Sequence, residues 1–138
     1  MNFKYFNPNP DAKTFKSGKP KNWNRNDSFI RAICGATNKD WLEVFDGLVE
    51  IARESKDTID SKNVIMEYLA KNNFAHCTYG KPGVGEQRPT IEDFMKKYSE
   101  GVYILCLRNY YICIIDGYQL NVNEIKNEKI YSYWKLSE

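Results

Sequence analysis

Apolar and polar positions fall into two regimes along the chain. From Ser28 to about residue 98 apolar residues recur at helical spacing, and from Gly101 onward they run in short β-type stretches. Phe29, Ile30 and Ile33 predict a short helix beginning at Ser28, with Asp27 before it as a cap, and Gly35 and Asn38 punctuate it. Thr37 and Asp40 have capping-box spacing ahead of a helix with Trp41, Phe45, Leu48, Val49 and Ala52 on one face. A third helix near 61–72 aligns Val64, Ile65, Tyr68 and Leu69, and Asn72-Asn73 ends it. Residues 74–79 read as a strand, and GKPGVGEQRP follows as a loop. Thr90 and Asp93 cap a fourth helix carrying Ile91, Phe94, Met95 and Tyr98. Strands are predicted over 102–107, 110–116, near 118–122 and over 129–136, folding back at Arg108-Asn109 and Asp116-Gly117. Helices first and an antiparallel sheet second is an α+β order.

Residues 1–26, rich in Asn, Pro, Lys and aromatics without a sustained period, are expected to form an irregular arm before a domain at 27–138. Phe3, Tyr5, Phe6, Phe15 and Trp23 are its candidate anchors. With 138 residues, 42% of them hydrophobic, the chain reads as one domain with a real core. Net charge is +2, and the basic excess sits early, at Lys4, Lys13, Lys16, Lys19, Lys21 and Arg25. That mixture of cations and aromatics suits nucleic acid or an acidic protein surface. It suits better a segment wrapped on the domain, with its aromatics inward and its lysines in water.

No apolar run approaches the roughly 20 residues of a membrane helix, so no membrane role is expected. MNFKYFNPNP lacks the apolar stretch of a signal peptide. Cys34, Cys77, Cys106 and Cys113 each lie in an apolar stretch without CxxC spacing, and His76 is the one histidine. Reduced, buried thiols in a cytoplasmic protein, with no metal and no cofactor, are the expectation. His76 and Cys77 are adjacent, so on a strand they point to opposite faces and do not pair. The GKPGVGEQ loop lacks the Lys-Ser/Thr ending of a phosphate-binding loop and reads as a surface turn. Glu43, Asp46, Glu92 and Asp93 read as solvated helix faces.

FNPNP at 6–10, NDSFIRAICGATNKDWLEVFDGL at 26–48, PTIEDFMKKYSEGVYIL at 89–105, IIDG at 114–117 and YSYW at 131–134 carry a resemblance. In their order and spacing the chain resembles small papain-like cysteine-peptidase proteins of phages and prophages. The resemblance implies a papain-like fold, with N-terminal helices packed on a C-terminal antiparallel sheet. Members typically read GDCxxRAI at the nucleophile helix, with a histidine seven residues before the Gly of an IDG-like turn and an acidic residue after it. The corresponding positions here are Ser28, Tyr110 and Asn121. A serine needs a base, and a phenol with pKa near 10 is a poor one at neutral pH. The resemblance therefore implies a peptidase scaffold without a functional triad.

Three classes of function follow. The first is a pseudo-peptidase that binds or inhibits a host protein, the phage resemblance implying a defence component such as a CRISPR–Cas effector. The second is a small hydrolase using Ser28 or one of the cysteines. The third is a nucleic-acid-binding module led by the arm with Arg25, Arg31 and Arg88. Trp23, Arg25, Arg31, Tyr110 and Tyr111 are the candidate binding residues. Ser28 also reads as an N-cap and Tyr110 as a packing residue, the ordinary uses of those types in those places.

Overall fold

The computed structural model describes residues 2–13, 25–79 and 88–137. They form an α+β fold. The strands are β1 (Phe3–Tyr5), β2 (Phe74–Thr78), β3 (Val102–Cys106), β4 (Tyr111–Ile115), β5 (Tyr118–Asn121) and β6 (Ser132–Leu136). The helices are α1 (Ser28–Thr37), α2 (Trp41–Ser55), α3 (Lys62–Lys71) and α4 (Ile91–Lys97). One sheet runs in the order β1-β5-β4-β3-β6-β2, antiparallel throughout except for the parallel β1–β5 pair.

Strand alternation sends side chains to two cores. On one face Ile104, Cys113 and Trp134 meet α1, α2 and α3. On the other, Tyr103, Leu105, Ile112 and Ile114 meet α4 through Ile91, Phe94 and Met95. The helices therefore cover both faces of the sheet, with α4 opposite the N-terminal three. Gly35 lets α1 approach β4 closely: a Cβ there would lie 3.2 Å from the Cys113 sulfur.

The capping signal at α4 acts as read, and α3 has a cap not singled out from the sequence. Ser61 Oγ accepts from Asn63 N–H at 3.2 Å. At α4, Thr90 and Asp93 form a reciprocal capping box, with bonds of 3.0 and 3.1 Å. Those bonds hold the Asp93 carboxyl below its usual range. Thr37 and Asp40 do not form a box. Thr37 ends α1, its hydroxyl donating to Ile33 O at 2.6 Å, and Asn38 breaks the helix in the left-handed region at φ 57°. Asp40 is the N-cap residue of α2 without a side-chain cap bond.

Leu107 N–H donates to Tyr110 O at 2.8 Å around Arg108-Asn109. Asp116 and Gly117, at φ 48° and 78°, are the two residues joining β4 to β5. Both lie at positive φ, as a type I′ hairpin requires. The strand expected from residue 129 begins only at Ser132. Lys129 instead bridges Thr90, and Ile130 N–H donates to Pro89 O, tying this segment to α4.

The N-terminal arm is not wholly irregular. Phe3–Tyr5 joins the sheet as β1, opposite Gln119–Asn121, and Phe6 N–H donates to Asn121 O at 2.9 Å. Phe6 packs against the helical core, whereas Tyr5 is 65% exposed. Phe15 and Trp23 lie outside the described residues, as do Gly80–Gln87 of the predicted loop.

His76 stacks on Trp134 at 4.6 Å, and its Nε2 is buried without a hydrogen-bond partner among the described residues. Burial, then the nearby Lys62 charge, lowers its pKa. A histidine depressed in the folded state takes up a proton more readily when unfolded, so it supports the fold above about pH 6.5. That support falls away as pH drops below this value toward the folded pKa. At low micromolar protein, the urea midpoint should fall between pH 7.5 and 5.5, and the fall should shrink in His76→Gln. An equal fall in the variant would assign the effect to other groups.

Candidate functional site

Register explains how the end of α1 reaches the sheet. Cys113 opposes Leu120 and Ile115 opposes Tyr118, so the next rung of the β4–β5 ladder would join Tyr111 to Val122. That rung is missing. Tyr111 N–H instead donates to Ser28 Oγ at 3.1 Å, and Val122 N–H donates to Asn121 Oδ1 at 2.8 Å. The sheet opens there, and the first residue of α1 fills the gap. Ser28 is thus the first helical residue, not the N-cap. Asp27 occupies the cap position, and Ser28 Oγ satisfies a strand donor.

Ser28, Tyr110 and Asn121 come together at this opening. Tyr110 Oη donates to Asn121 Oδ1 at 3.0 Å and accepts from Arg31 Nη2 at 3.2 Å. The Arg31 guanidinium also lies over the Tyr110 ring, 5.6 Å from its centroid. Asn121 Nδ2 is buried without a partner among the described residues.

Arg31 is 4% exposed and forms an ion pair with Asp27, Nε to Oδ1 at 2.9 Å. It is committed inward and does not present a cation to a phosphate backbone. The other Asp27 oxygen accepts from Trp41 Nε1 at 3.0 Å and Asn9 Nδ2 at 3.2 Å. One carboxylate thus joins the arm, α1 and α2. The i,i+4 spacing of Asp27 and Arg31 is its one trace in the sequence. Tyr111 packs edge-on to Phe29 and against Trp134, and burial raises its phenol pKa. Arg25 lies in a short 3-10 turn leading into α1, and its side chain is outside the description, as is Trp23. Arg88 stacks over Tyr131 at 4.6 Å.

The chemistry at the opening is poor. Ser28 Oγ already accepts a hydrogen bond, and no imidazole is near. His76 lies on β2, separated from β4 by β3 and β6, about 14 Å across the sheet at standard strand spacing. Cys34 sits six residues along α1, roughly 9 Å by helical rise. Burial, then the Asp27 and Asp40 charges, pushes its thiol up to about 12. Burial likewise raises the pKa of Cys113. A thiolate is disfavoured at both sites.

Two grooves meet at exposed Asn26. One, of about 430 Å³, runs over Phe29, Ile30, Trp41, Phe45 and Ile59, with Trp41 and Phe45 stacked at 5.1 Å. The other, of about 570 Å³, runs past Tyr110 along Leu107, Arg108, Asn109 and Ile125. Both grooves mix apolar with polar lining residues, Asp27 and Asp60 in the first and Arg108 and Glu128 in the second. Among the described residues no helix is long and apolar enough to cross a membrane. No family model, curated protein or solved structure matches this chain.

Proposed function

We propose that the chain is a papain-like pseudo-peptidase of phage origin whose cleft binds a host protein in the cytoplasm of the infected cell. Interference with a host defence component is the role we assign to that binding. The observation that supports this reading is the locked state of the opening. The Tyr110 hydroxyl, at the position the resemblance gives to a catalytic imidazole, is held between Arg31 and Asn121, and Ser28 Oγ accepts from Tyr111 N–H. A phenol in that position does not take a proton from serine at neutral pH. The two grooves supply a surface that needs no chemistry to be useful.

Wild-type protein should neither hydrolyse a peptide library nor acquire a fluorophosphonate adduct at Ser28. Ser28→Ala leaves the Tyr111 N–H without its acceptor and should cost about 1–3 kcal/mol of stability. It should nevertheless retain the partner in affinity capture from host lysate. Asn26→Trp, which fills the junction of the grooves, should lose the partner while keeping its fold. An adduct on Ser28 together with activity lost in Ser28→Ala would establish a hydrolase instead.

A further inference from the structure

Among the described residues β2 ends the sheet, with β6 as its one neighbour. Ser137 N–H donates to Asn73 O at 2.7 Å, and these residues stand opposite each other when the β2–β6 register is extended by one. Asn73, Ala75 and Cys77 therefore direct their backbone groups toward β6, and Phe74, His76 and Thr78 direct theirs outward. No described residue hydrogen-bonds to these outward groups.

Edge strands are ordinarily protected by a lysine, a proline, a bulge or an inward charge. FAHCT contains no charged residue and no proline, and its five residues pair with β6 without a bulge. The opposite edge, β1, is three residues long and carries Lys4.

We propose that two copies of this chain associate through β2, antiparallel about a twofold axis at His76, to form one continuous sheet. Rotation about His76 places Phe74 opposite Thr78 of the second copy and His76 opposite its equivalent. Every outward N–H then meets an outward C=O. This self-complementarity favours a second copy over a foreign strand, and the lack of charge means no like charges face each other at neutral pH. Strand pairing buries less surface than the 1,200–2,000 Å² or so of a standard stable interface, so the dimer dissociates on dilution. This inference is independent of the cleft and its partner.

Sedimentation velocity from low to high micromolar protein should show the mass rising from 16.2 kDa toward twice that value. Thr78→Pro removes an outward N–H at an exposed edge position and leaves the β6 ladder intact. It should remain monomeric throughout. Ala75→Cys supplies a second readout, since residue 75 would face Cys77 of the second copy in a non-hydrogen-bonded pair. The Cα separation there is about 4.5 Å, within disulfide range. With oxidised glutathione it should give a reducible dimer that disappears in Ala75→Cys/Cys77→Ser. A mass fixed at 16.2 kDa at the highest concentration would overturn the proposal. So would the absence of a cross-link from Ala75→Cys, whatever becomes of Thr78→Pro.

Discussion

Asp27→Ala should lower the unfolding free energy by about 3–5 kcal/mol, the usual cost of removing one partner from a buried ion pair. Arg31 cannot turn to water, because it is 4% exposed and wedged beneath Tyr110, a neutral partner. Its charge would remain inside without its carboxylate partner. The Trp41 indole and the Asn9 amide would lose their acceptor in the same step. Urea denaturation followed by far-UV circular dichroism measures the loss. Asp27→Leu/Arg31→Met should recover most of it, since an apolar pair of similar volume carries no desolvation penalty. A loss below about 1 kcal/mol in Asp27→Ala would mean that the pair is solvated and holds nothing.

Phe94→Ala should cost a similar amount, about 3–5 kcal/mol, on the opposite face of the sheet. Phe94 is 1% exposed, and its ring meets Tyr98 at 4.7 Å and Tyr103 and Tyr133 at 5.1 Å each. Helix α4 has only seven residues, too few to persist on its own, so packing keeps it in place. Truncating Phe94 leaves a ring-sized void in the aromatic cluster and removes the largest side chain that α4 buries. Phe94→Leu should cost a fraction of this. Near-UV circular dichroism should report the change, because Tyr98, Tyr103 and Tyr133 lose their fixed surroundings. A full near-UV spectrum with unchanged stability in Phe94→Ala would show that α4 is docked by other contacts.

Much of the helical layer can be read from spacing alone. Val64, Ile65, Tyr68 and Leu69 are buried on α3 as their period requires, and the Thr90–Asp93 box marks the start of α4. Thr37 and Asp40 mislead because hydroxyl-to-carbonyl bonding at a helix end competes with capping at the next start, and spacing does not separate the two. β1 escapes prediction because three residues carry no period, and its partner lies at Gln119–Asn121. The opening between β4 and β5 is hidden for a related reason. Tyr111 looks like any strand residue until the missing rung opposite Val122 shows that its N–H needs a helix residue. The meeting of Ser28, Tyr110 and Asn121 is expected only from the order of motifs far apart in the chain, whereas the Asp27 hub beneath them is not expected at all. Its ties to Asn9 and Trp41 are long-range contacts without a local signature.

Among the described strands, the one latest in the chain lies inside the sheet. β6 separates β3 from β2, so the β5-β4-β3 meander and the α3–β2 unit have no shared ladder until Ser132–Leu136 arrives. A ribosome adding about 5–20 residues per second needs roughly 1.3–5 s to travel from the end of β3 to Ser132. During that interval the apolar strand VYILC has one open edge in a nascent chain. Premature termination anywhere before β6 would leave that edge permanently unpaired, a template for aggregation. A fragment that ends before β6 should therefore be a substrate for chaperones and proteases.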